Sequence, residues 1–118
     1  MLHATIHSAR REAPTNLLPL TITFEVAAAA LEVLPRMFFE PDGSFVWVGE
    51  TDAGRWQLDG QLQDRGPTLD HVEIKGTCAP EPFAQFLAAL RGNAELLVFQ
   101  QVQAGELLDE SAAVGLLG

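Results

Sequence analysis

The sequence predicts an α+β fold, an antiparallel meander sheet of about five to seven strands with two main helices packed on one face. Three observations carry this. Short stretches alternate apolar and polar residues with a period of two, as half-buried strands do. Turn residues such as Pro41-Asp42-Gly43 and Gly66-Pro67-Thr68 separate them at hairpin spacing. Only two stretches, Ala27 to Leu34 and Pro80 to Leu90, have the composition or period of a helix.

At 118 residues the chain has the usual length of a single domain, and its 47% apolar content suits a packed core. Residues 1 to 16 show no sustained period and end in the turn-rich Ala13-Pro14-Thr15-Asn16. They predict a flexible N-terminal arm, with at most one short strand from Ala4 to His7 docked on a sheet edge. Residues 17–118 are then the α+β domain. Leu20, Ile22, Phe24 and Val26 alternate with Thr21, Thr23 and Glu25, which predicts a half-buried strand. Alanine and leucine favour a short helix over 26–34, and Pro35 ends it.

A hairpin follows, with strands near 36–40 and 44–49 joined through Pro41-Asp42-Gly43. Phe45 and Trp47 point to one side of the second strand, Val46 and Val48 to the other. Two apolar faces predict a strand covered on both sides. Phe38 and Phe39 are adjacent, so they cannot share a layer, and if no helix covers the sheet's second face, one set of aromatics must be covered by something else. The Phe38, Phe39, Trp47 and Trp56 group can therefore serve as core, subunit contact or ligand pocket.

The central prediction is a long hairpin from about Arg55 to Thr77. Apolar residues must lie opposite apolar ones, because a slip by one residue flips every side chain. Pairing Leu62 with Val72 satisfies this. Gly60 then meets Ile74, Asp59 meets Lys75, Gln61 meets Glu73 and Gln63 meets His71, with a five-residue loop from Arg65 to Leu69. Beyond it, Phe83, Phe86, Leu87 and Leu90 recur at helical spacing, Pro80 and Pro82 suit a first turn, and Gly92 suits a C-terminal cap. The tail predicts a hairpin about Ala104-Gly105 and a short helical turn capped by Asp109 or Ser111.

The net charge is −9, Lys75 is the only lysine, and the arginines are scattered apart from Arg10-Arg11. Nucleic-acid binding needs clustered cations that displace phosphate counterions, so this charge argues against nucleic acid and anionic membrane as partners. No apolar stretch is long enough to span a bilayer. The single cysteine, Cys78, fits a reducing compartment, so the expected location is the cytoplasm.

Four candidate groups bear on chemistry. Cys78 lies just before a helix, where N–H dipoles would favour a thiolate. His71 is seven residues earlier, about 23 Å along a strand, too far to serve as its base, so a small buried junction residue is the simpler role. His3 and His7 have metal-ligand spacing on a helix, but on a strand their rings lie about 13 Å apart. The polar hairpin face carries Asp59, Gln61, His71, Glu73 and Lys75. Asp59, His71 and Glu73 would make a general acid–base or ligand site if something enclosed them; a solvated outer sheet face alternates in the same way. No glycine-rich phosphate loop, nucleophile elbow, paired-cysteine metal spacing or Ca²⁺ loop occurs, so no cofactor or metal is expected. The leading expectation is a non-catalytic module that forms a homodimer or docks another protein. The alternative is a small-ligand-binding protein or enzyme that uses the Asp59, His71 and Glu73 face.

Overall fold

Alternating apolar residues and two helical stripes produce one sheet with helices on one side. The computed structural model describes all 118 residues. Its strands are β1 (Leu2–Arg10), β2 (Ala13–Leu18), β3 (Met37–Phe39), β4 (Ser44–Thr51), β5 (Gly54–Arg65), β6 (Thr68–Gly76), β7 (Leu96–Gln101) and β8 (Leu107–Leu108). The helices are α1 (Phe24–Glu32), α2 (Pro80–Arg91) and α3 (Glu110–Leu117). The strands form a single antiparallel sheet in the order β3-β4-β5-β6-β1-β7-β8, and β2 pairs with the far end of β1. The α+β class and the antiparallel sheet are as the sequence predicts.

The long hairpin has the predicted register. Leu62 pairs with Val72, Gly60 with Ile74, Asp59 with Lys75, Gln61 with Glu73 and Gln63 with His71. Its connection is shorter than predicted. Arg65 pairs with Thr68, which leaves a two-residue turn at Gly66-Pro67, and the register shifts beyond Gln63. Gly66 has φ +70°, a left-handed conformation that permits so tight a turn. Asp70 is the extra residue of the resulting bulge.

The N-terminal segment is not a loose arm. β1 lies inside the sheet between β6 and β7, and Leu2, Ala4 and Ile6 are fully buried. Ala4 is a weak apolar signal, and the pattern breaks where Ser8 and Ala9 are both buried beside a bulge. Those features hide a strand whose outward positions are His3, Thr5 and His7. Residues 20–26 also depart from expectation. Instead of extending a strand, Thr23 caps α1, its hydroxyl accepting from Val26 N–H at 3.1 Å. Phe24, Ala27 and Leu31 then follow at helical spacing, with Ala27 and Leu31 buried. A side-chain cap outweighs strand propensity in this segment.

The core is a layer of 23 buried residues between the sheet and the helices. Phe83, Phe86, Leu87 and Leu90 form the buried stripe of α2, as predicted. Phe86 packs on Phe45 and on Trp47 with ring centroids 5.7 Å apart in each case, and Phe83 meets Phe99 at 6.1 Å. The Phe45 ring lies over Gly60 so closely that a Cβ there would come within 2.1 Å of it. Trp47 donates its indole N–H to Pro35 O at 2.8 Å, which satisfies the polar edge of a buried ring. Asp109 caps α3 by accepting from Ala112 N–H at 2.8 Å.

Candidate functional site

β4, β5, β6, β1 and β7 each place alternate side chains on the side of the sheet away from the core. Register lines these side chains up in rows across the strands. One row runs Phe38, Val46, Asp59, Lys75, His3. The next runs Ser44, Gln61, Glu73, Thr5, Gln100, and a third holds Gln63, His71, His7 and Val98. The middle of the face is polar. Its β3–β4 flank is apolar, with Phe38 62% exposed and Val46 38% exposed. The expectation that β4 is covered on both sides is thus overturned: Phe45 and Trp47 are buried, but Val46 faces outward with nothing over it. The aromatic group divides in the same way. Trp47 and Trp56 join the core, Phe39 packs against it, and Phe38 is left outside.

All three histidines converge on this face, because β1 lies beside β6. His3 Nε2 is 2.8 Å from Glu73 Oε2. The His7 and His71 rings stack with centroids 5.3 Å apart and 27° between their planes. His7 Nε2 is hydrogen-bonded to Thr5 Oγ1 at 2.7 Å, and His71 Nδ1 donates to Asp70 Oδ2 at 2.7 Å. Partial burial holds the His7 pKa below its ordinary value, the neighbouring His71 lowers it further, and Asp70 opposes both. The hydrogen bond from His71 holds the Asp70 carboxyl below the usual carboxylate range.

Asp59, His71 and Glu73 do share the face, but they do not form a constellation. Each lies in a different row and has its own partner: Asp59 accepts from Gln57 Nε2 at 2.9 Å, His71 is bonded to Asp70, and Glu73 to His3. None of the principal cavities, about 270 to 440 Å³, is lined by Asp59, His71 or Glu73; the smallest of them touches the edge of the face at His3 and Lys75. Lys75 lies opposite Asp59 in register, yet the two make no ion pair. His3 and His7 escaped grouping with this face because their strand was not apparent. The alternation of Leu2, Ala4 and Ile6 with His3, Thr5 and His7 was the available signal.

Cys78 is buried at the junction of β6 and α2, where its N–H donates to Leu117 O at 3.2 Å. Burial pushes its thiol up to about 12, so desolvation outweighs any effect of the helix end. No group of three or more His, Cys, Asp or Glu side chains is placed to hold a metal ion, and the His3–His7 spacing is used by two separate hydrogen-bonded pairs. No helix is long and apolar enough to cross a membrane. Fold and face together define an α+β protein with one uncovered sheet surface. Comparison with protein-family models, with curated proteins and with solved structures finds no match.

Proposed function

We propose that the chain is a non-catalytic protein-interaction module that associates through its open sheet face. One observation carries this reading: a sheet with helices on one side only, whose other side exposes Phe38 and Val46 beside a polar centre. An exposed apolar patch bordered by polar groups is the kind of surface that marks a protein-interaction site. The net charge of −9 and the single lysine favour a protein partner over nucleic acid or an anionic membrane. The lone, buried Cys78 supports a cytoplasmic setting. The acid–base or ligand reading has weaker support, because nothing encloses Asp59, His71 and Glu73.

Covalent footprinting of the chain in a cell extract tests the proposal against the same chain purified and diluted. Phe38 and Val46 are expected to be protected in the extract. Val26 and Val33, exposed on and just beyond α1, should label equally in both samples. Equal labelling of all four would contradict the reading.

A further inference from the structure

The row containing Phe38 extends one position beyond β7, because Val102 donates its N–H to His3 O at 3.0 Å. Val102 is 45% exposed. Across the face this row therefore reads apolar (Phe38, Val46), acidic (Asp59), basic (Lys75), imidazole (His3), apolar (Val102). Its symmetry lies in its chemistry. A two-fold axis parallel to the strands and passing between β5 and β6 keeps each row at its own height and exchanges the two halves of the sheet. β5 then faces β6, β4 faces β1 and β3 faces β7.

Building on the open-face reading above, we propose that the occupant of this face is a second copy of the chain, related by that axis, so that Asp59 of each copy meets Lys75 of the other and Phe38 meets Val102. Three observations support a second copy. The charges are complementary under the operation, and the chain's only lysine, which has no ion-pair partner within its own chain, gains one. The middle of the face also carries little of the chain's net negative charge. Its centre carries Asp59 and Glu73 against Lys75, a net of about −1 where the whole chain carries −9, so charge repulsion between copies is modest there. Finally, the fifteen positions in the three rows, about 4.8 Å apart between strands and about 6.8 Å between rows, cover on the order of 500 Å² per copy and 1,000 Å² across both, about the least a specific interface buries. An interface of this kind is isologous and closes at two copies.

The test uses Asp59→Lys and Lys75→Asp, each checked for folding by circular dichroism. Each variant alone places like charges at both symmetry-related contacts, and its self-association is expected to weaken by at least about tenfold. Mixing the two variants is expected to restore association as a heterodimer, because every intermolecular pair is then again opposite in charge. An effect confined to the cross-strand pair within one chain cannot produce that rescue. Unchanged association of the single variants, or a mixture that remains monomeric, would overturn the proposed axis while leaving the open-face reading intact. A wild-type chain that is monomeric throughout would overturn the second copy as occupant. Protection of Phe38 in the extract would then assign the face to a different protein, and no protection would end both proposals.

Discussion

His7 and Asp70 lie on the same patch of the face, and acid acts on both in the same direction. The folded-state pKa of His7 lies below its ordinary 6.5, so the stability that the neutral ring contributes is complete above that value and is lost as pH falls. The pKa of Asp70 lies below its ordinary 3.8, so the contribution of its carboxylate is complete above that value and is also lost on acidification. Chemical-shift titration should place the His7 midpoint below 6.5 and the melting temperature should begin to fall in that range. His71→Asn should raise the His7 midpoint, because it removes a neighbouring positive charge, and Asp70→Asn should lower it. A His7 midpoint at or above 6.5 would show that the ring is solvated rather than packed against His71. Cys78 provides the contrast. Burial pushes its thiol up to about 12, and its side chain packs in the core at a strand–helix junction.

β1 holds the sheet together by pairing with both β6 and β7. Ile6, fully buried between Val72 and Phe99 in register, is therefore a sensitive probe of that role. Ile6→Ala is expected to cost about 2–5 kcal/mol in denaturant unfolding, the usual range for emptying a packed aliphatic site. A loss below about 0.5 kcal/mol, as at an exposed site, would mean that this segment is an arm after all. What could be read in the sequence follows from the strength of each local signal. The β5–β6 hairpin was legible because Leu58, Leu62, Val72 and Ile74 fix which side chains share the core face, and Leu62 opposite Val72 keeps that phase with a short connection. α2 was legible because two aromatic and two leucine residues repeat at helical spacing. β1 was not, since alanine, serine and histidine give a faint alternation and its partners are distant in sequence. The start of α1 is hidden in the sequence because the Thr23 cap lies inside an alternating run. For the same reason the polar face was only half seen: Asp59, His71 and Glu73 are local to one hairpin, whereas His3 and His7 reach it through the pairing of the N-terminal strand.

The whole molecule is an asymmetric sandwich, with helices and an aromatic core on one side of the sheet and a polar face with an apolar flank on the other. The hairpin sequence carried a hint of this, since neighbouring Phe38 and Phe39 must point to opposite sides. The structure buries the side of Phe39 and leaves Phe38 outside. Sedimentation equilibrium of the wild-type chain beside Phe38→Asp reads out association through the open face. At micromolar concentration the wild type is expected at twice the 12.8 kDa chain mass, and the variant at the mass of one chain. A wild type that stays at one chain mass, or a Phe38→Asp variant that associates as tightly as the wild type, would contradict association through this face.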